Sequence, residues 1–190
     1  MGWYELALVV HFLGLIAIAG FFVIYSRAGP ALRKATDMAN VRVWLGMLDA
    51  AKPMMPAAGV LLILSGFVMA SMRWRGPYPF VTVGLVTLII IWIAAAIVGG
   101  RHRRAMQAAA GTATGSVPAE LSRVILNPRP WATLFALNLA TLGVLFVMTT
   151  KIGWVAAISV VIGLAIVGAF IGARLATGDR DRFARGASAR

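Results

Sequence analysis

His11 is the ionisable side chain that lies deepest within a long apolar segment of this sequence. Ionisable residues at membrane depth are costly and therefore often functional. Its helical neighbours Ala7 and Gly14 are small, which indicates that the imidazole faces another helix and not lipid. Imidazole suits a ligand of copper or haem iron and also a proton carrier. The alternative is a neutral histidine that hydrogen-bonds a neighbouring helix and fixes packing.

Asn138 is the second intramembrane polar residue and a candidate partner of His11. Counted along ideal helices at about 1.5 Å per residue, the two differ in depth by about 7 Å. Helix tilt or one water would let them pair across a hydrocarbon core of ~30 Å. A main-chain carbonyl is the other candidate partner.

Three methionines lie near the same side of the membrane as His11. They are Met69, Met72 and Met148, each near the outer end of its predicted span. Thioether sulfur favours Cu(I), so His11, Met69 and Met148 form a candidate metal site. Methionine is equally an ordinary filler of apolar packing. Haem held by two histidines is disfavoured, because His102 lies at least ~20 Å away in depth from His11.

The remaining polar residues predict local pairs and no recognised enzyme site. Glu5 and Lys151 can form an ion pair at the outer rim, or Lys151 can extend alone to the interface. Asp49 and Lys52, three residues apart, predict a pair on one helix. No HExxH, nucleotide-binding glycine loop, paired inward carboxylates or Ser/His/Asp set is present, and cysteine is absent. The sequence thus favours a protein that is not an enzyme.

The amino-acid composition predicts the kind of fold that positions these residues. Of 190 residues, 61% are hydrophobic and 13% are charged, against roughly half and a quarter in a soluble domain. Crossing ~30 Å of hydrocarbon takes about 20 helical residues. The fold class is therefore all-α, a polytopic membrane bundle of five transmembrane helices. The predicted spans are 3–25, 54–72, 80–99, 131–150 and 152–173.

Basic residues predict the orientation of the bundle. Fifteen Lys and Arg fall on one side, in alternate connections and the C-terminal segment, and three fall on the other. The positive-inside rule then places the N-terminus outside and the C-terminus in the cytoplasm. The net charge of +12 is explained in this way, and no nucleic-acid motif accompanies it. We expect one bundle over residues 1–173 and a basic cytoplasmic tail over 174–190.

The first long connection has an amphipathic pattern, with Met38, Val41, Leu45 and Leu48 at helical spacing. Such a helix suits the membrane interface. Pro53 and Pro56 predict a break or kink before the second span. The second long connection predicts a short helix over 118–126, and the final tail predicts frayed structure.

Small residues predict where helices approach closely. Gly168 and Gly172 have GxxxG spacing in the fifth span, and Gly59, Gly66 and Ala70 share a face of the second. Either set can pack within the monomer or form a homodimer.

Four short motifs recur in a known family of membrane proteins. They are His11-Phe-Leu-Gly14 followed by Gly20, Pro56 with Leu64-Ser-Gly-Phe67, the arginines that end the third span, and Val147-Met-Thr-Thr-Lys151. On these residues the chain resembles a family of predicted bacterial integral membrane proteins of unknown function, itself similar to CopD-like copper-resistance membrane domains. The resemblance covers about residues 4–154 and implies a compact bundle in the bacterial inner membrane, with His11 and Lys151 as positions of interest.

Three hypotheses follow for function. The first is a non-enzymatic bundle or accessory subunit that acts through a membrane protein partner or a second copy. The alternative is a copper- or haem-linked membrane protein that uses His11. The third, a small-solute transporter, would be expected to show more polar residues at the midplane.

Overall fold

The computed structural model describes residues 2–74 and 78–187, with side chains described up to residue 177. These residues form seven helices and no strand. The helices are α1 Trp3–Lys34, α2 Met38–Ala50, α3 Met54–Arg73, α4 Pro79–Ala110, α5 Ala119–Ile125, α6 Pro128–Thr150 and α7 Trp154–Ala187.

Within residues 2–74 and 78–187, five helical segments are long and apolar enough to cross a membrane, which confirms the predicted number. Several helices run past the predicted ends of the apolar segments. α1 continues to Lys34, α4 to Ala110 and α7 to Ala187. The reason is that hydropathy reports membrane depth, whereas the Ala, Arg, Met and Gln beyond each span are good helix formers. α4 ends only where Gly111 adopts a φ of 43°, a conformation in which glycine is favoured.

Glycine allows the closest helix contact, that of α6 with α7. A Cβ on Gly172 would lie 2.7 Å from the Trp131 carbonyl oxygen, and one on Gly168 would collide with the Phe135 carbonyl. On α6, a Cβ on Gly143 would lie 3.1 Å from Val161 Cα. The GxxxG pair therefore packs inside the monomer, the first of the two predicted possibilities.

The amphipathic helix α2 also packs against protein. Met38, Val41, Leu45 and Leu48 are all buried, although the sequence pattern suggested a helix at the membrane interface. Their partners are apolar side chains of α1, α4 and α5, including Leu32, Met106, Leu121 and Ile125. An apolar stripe cannot by itself distinguish a lipid surface from a protein surface, and here it packs against protein. These helices form a separate core at one end of the bundle, which we call the loop-rich end.

Two local features hold α2 in this position. Asp37 caps it, because a carboxylate oxygen accepts a 2.8 Å hydrogen bond from the Asn40 N–H. This bond holds the pKa of the exposed Asp37 carboxyl below its usual range. The Met38 N–H donates to the Gly115 carbonyl at 2.8 Å, which ties the loop before α5 to the start of α2. The break predicted from Pro53 and Pro56 is confirmed, since the helix is interrupted at residues 51–53.

Candidate functional site

The opposite end of the bundle encloses a cavity of about 570 Å³ between α1, α3, α4 and α6. It extends along α1 from Tyr4 to Phe22, roughly 27 Å at 1.5 Å per helical residue. We call this half of the molecule the cavity end. It holds the start of α1 and the end of α6, and it lies away from the core formed by α2 and α5.

The cavity walls are almost entirely apolar. Among the residues that the structure describes, the polar side chains that line it are Tyr4, His11, Thr141 and Lys151, together with the indole of Trp74. Thr141 Oγ1 donates its proton to the Leu137 carbonyl at 2.9 Å, so it has no second proton to offer a ligand. Aromatic side chains form much of the remaining surface, with contributions from Phe12, Phe22, Phe67 and Phe80.

The cavity opens sideways between α1 and α6. Phe12 and Ile16 on α1 and Leu142 and Leu145 on α6 line it, and all four are also exposed on the outer surface of the bundle. In a membrane, this outer surface contacts lipid. A lipid-soluble molecule can therefore reach the cavity from the hydrocarbon layer without crossing water.

His11 lies on the cavity wall and is fixed by α3. Its Nδ1 is 3.0 Å from Ser65 Oγ, and Ser65 in turn donates to the Leu61 carbonyl one helical turn earlier. Gly66 lies beside the ring, since a Cβ at this position would be in ordinary van der Waals contact with His11 Cε1 at 3.6 Å. In the described part of the chain, the side chain that hydrogen-bonds His11 is thus Ser65 and not Asn138, the candidate suggested by depth alone.

Two of the three methionines lie with His11. Met69 and Met148 line the same cavity, whereas Met72 is 51% exposed and lies outside it. Met148 packs directly over Gly84 of α4, where a Cβ would collide with its terminal methyl group. The predicted trio of His11, Met69 and Met148 therefore surrounds one space. Among the described residues, no group of three or more His, Cys, Asp or Glu side chains is arranged to hold a metal ion.

Lys151 closes α6 at the rim of the cavity. It adopts a left-handed φ of 53° as the C-terminal cap, a position at which glycine is the usual residue. Its Nζ lies 5.8 Å from the centre of the Trp74 ring, and this ring packs edge-on against Phe80. No ion pair joins Lys151 to Glu5 in the residues that the structure describes, so the ammonium contacts an aromatic face instead of the predicted carboxylate.

A second cluster, at the loop-rich end, was not predicted from the sequence. Trp131 is 1% exposed, and its Nε1 donates to the Ile125 carbonyl at 2.8 Å. The Arg33 guanidinium carbon lies 5.1 Å from the Trp131 ring centre, and the His102 ring packs edge-on to it at 5.3 Å. No sequence spacing links Trp131 to the residues on α1 and α4 that it contacts.

Asp49 joins α2 to α4 beside this cluster. Its carboxylate accepts from Arg103 at 2.9 Å and from Gln107 at 2.6 Å. The sequence suggested a local pair of Asp49 with Lys52, but the carboxylate instead neutralises a cation on another helix. Arg103 is largely buried, so this neutralisation matters more than a surface pair would.

His102 and His11 do not share a site. Along α4, His102 lies 14 residues beyond Leu88, the last α4 residue in the cavity wall, which is roughly 21 Å. Comparisons of the chain with family models, curated proteins and solved structures find no match. The functional argument therefore depends on the cavity itself.

Proposed function

We propose that this chain is a multi-pass membrane protein that binds a lipid-soluble ligand in its cavity and acts as a binding or accessory subunit without catalysing a reaction. The observation that supports this most is an apolar cavity of about 570 Å³ with a side opening between α1 and α6. Ligand sites are typically apolar clefts of about 300–1,000 Å³ with a few fixed polar groups. His11, held by Ser65, is such a group.

The proposed location is the inner membrane of a bacterium, with the N-terminus outside and the C-terminus in the cytoplasm. Fifteen of the Lys and Arg residues on one side against three on the other support this orientation. The cavity then begins at the outer side of the membrane, with its wall on α1 reaching as far as Phe22, and the loop-rich end faces the cytoplasm. A membrane protein partner or a second copy remains part of this proposal.

The experiment uses a diazirine-bearing long-chain alcohol and the full chain in lipid nanodiscs. After irradiation, mass spectrometry maps the labelled residues. We expect labels on cavity residues such as Leu15 and Leu85, in excess over exposed residues of α7. In Ala70→Phe, a large side chain enters the cavity, and labelling there should fall at least fivefold.

The matched control is Ala156→Phe, because Ala156 is exposed on α7 and does not line the cavity. Cavity labelling should be unchanged in this variant. Equal labelling of cavity and lipid-facing residues, insensitive to Ala70→Phe, would show that the alcohol reports only bulk lipid and would overturn the proposal.

A Cu(I) site is the second candidate function, favoured by the convergence of His11, Met69 and Met148 on one cavity. Imidazole with thioether ligands suits Cu(I). Anaerobic titration with Cu(I) against a chromogenic chelator tests it. One copper per chain, lost in His11→Ala and Met148→Leu but retained in Met72→Leu, would support the site. Copper retention in all variants would exclude it.

Haem ligation is tested on the same samples by the visible spectrum after addition of haem. A Soret band that disappears in His11→Ala would indicate His11 as an axial ligand. The separation of His102 from the cavity does not favour a second histidine ligand. The transporter hypothesis gains no support, since the polar side chains lining the cavity are too few for a continuous polar path.

A further inference from the structure

The hydrogen bonds behind His11 bear on which ring nitrogen carries the proton. Ser65 has one hydroxyl proton, and its Oγ lies within hydrogen-bond distance of both the Leu61 carbonyl and His11 Nδ1, the latter at 3.0 Å. When the hydroxyl donates to the Leu61 carbonyl, Oγ is the acceptor for His11 Nδ1. A neutral imidazole with its proton on Nδ1 has an unprotonated Nε2, which is a hydrogen-bond acceptor.

An acceptor within an apolar cavity selects ligands that bring a proton. Carbonyl groups of esters and quinones are themselves acceptors and cannot pair with Nε2 of neutral His11. A hydroxyl group can. Leaving the hydroxyl unpaired in an apolar site would cost binding free energy, so the histidine discriminates by pairing.

The cavity wall also favours a planar ring. Aromatic side chains line it from α1, from α3 and the residue after it, and from α4, namely Phe12, Phe22, Phe67, Trp74 and Phe80. Aromatic rings prefer edge-to-face or offset contacts, which such walls offer to a ligand ring. Along α1, the cavity continues from His11 to Phe22, roughly 16 Å, and this part can receive an apolar chain.

We infer that the cavity binds a lipid-soluble aromatic hydroxyl compound, a phenol or quinol with an apolar chain, whose O–H donates to Nε2 of His11. This inference rests on the proposed function, since it needs the cavity to be a ligand site. It adds the chemical class of the ligand and the position of its polar group. It also states that the hydroxyl form binds in preference to a form without the proton.

The test compares two probes that differ only in this proton, a long-chain 4-alkylphenol and its methyl ether. Each competes with the diazirine alcohol for cavity labelling of the full chain in nanodiscs. We expect the phenol to compete about tenfold more strongly than the ether, the effect of one hydrogen bond. In His11→Phe the two should compete equally, and retained competition by the ether shows that the bundle is folded.

Ser65→Ala and Ser71→Ala are a matched pair of hydroxyl deletions on α3 in this test. Without Ser65, the proton can move to Nε2, so the preference for the phenol should fall at least threefold. Ser71 lies outside the cavity wall and donates to the Val68 carbonyl of its own helix, and its removal should leave the preference unchanged. Equal competition by phenol and ether in the wild type would overturn the inference while the cavity remains a ligand site. Failure of both probes, with labelling insensitive to Ala70→Phe, would overturn the proposed function itself.

Discussion

The two ends of the bundle differ in how the space between their helices is filled. At the loop-rich end, α2 and α5 cover the helices, Trp131 is fully buried, and Asp49 bonds both Arg103 and Gln107. At the cavity end, the connections are short, and the space between α1 and α6 is left unfilled. The difference suggests that one end holds the helices in place so that the other can keep an open volume.

Polar pairing is concentrated at the loop-rich end, whereas buried apolar clusters are present at both ends. An empty cavity forfeits dispersion contacts along its walls, so it needs a rigid frame elsewhere. We expect substitutions at the loop-rich end to reduce stability and substitutions at the cavity end to alter binding.

The largest expected effect on stability comes from comparing one tryptophan of each end, Trp131 at the loop-rich end and Trp74 at the cavity end. Trp131→Ala should lower the free energy of unfolding by about 3–5 kcal/mol, as for other fully buried aromatic side chains. Trp74→Ala should cost about 1 kcal/mol, because Trp74 is only partly buried and packs edge-on against Phe80. Reversible unfolding in mixed micelles with increasing SDS measures both. Similar costs at the two sites would remove the distinction between the ends.

Two glycines of α7, Gly172 and Gly163, differ in how closely another helix approaches them. Gly172→Ala places a methyl group 2.8 Å from Ala132 Cα, and overpacking against a backbone costs about 1–3 kcal/mol. A Cβ on Gly163 meets nothing within 4 Å, so Gly163→Ala should stabilise the helix by about 0.5–1 kcal/mol. Thermal unfolding in detergent should show a lower Tm for Gly172→Ala and a higher Tm for Gly163→Ala.

The Gly172→Ala variant also distinguishes packing of α7 within the monomer from packing of α7 in a dimer. A stability loss in Gly172→Ala that does not vary with protein concentration supports packing within the monomer. Loss of a dimer in Gly172→Ala, seen by light scattering and without loss of monomer stability, would contradict the contact of α7 with α6.

The smallest of the three effects concerns the carboxylate that neutralises Arg103. Asp49→Asn leaves the largely buried guanidinium without its charge partner. Because the Asp49 side chain is 46% exposed, we expect a cost of only about 1 kcal/mol, nearer to surface than to buried pairs. Lys52→Gln should be neutral in the same SDS titration. A larger effect of Lys52→Gln would favour the local pair that the sequence suggested.

Much of the helix architecture could be predicted from sequence, because hydropathy directly reports the energetic cost of polar groups in lipid. The break at Pro53 and the short helix α5 were also predictable from proline and polar signals. The partner of Asp49 was not, since the sequence offers Lys52 nearby and gives no distance to Arg103. Likewise, depth counting suggested Asn138 for His11, whereas the orientation of α3 brings Ser65 to the ring.

The candidate site could also be predicted only in part from the sequence. Residue chemistry selected His11, Met69 and Met148, and the structure places all three around one space. The cavity itself could not be predicted, because a void is a property of how four helices diverge and leaves no residue pattern.

The length of α1 has a mechanical consequence. Before Pro30, a continuous helix connects His11 in the cavity wall to Gly29, which packs against the Trp131 ring, a distance of roughly 27 Å over 18 residues. If this part of α1 tilts as one body, a 5° tilt at the cavity displaces Gly29 by about 2 Å. Any adjustment of α1 to an occupant would therefore be felt on the far face of the membrane, where the basic residues are concentrated.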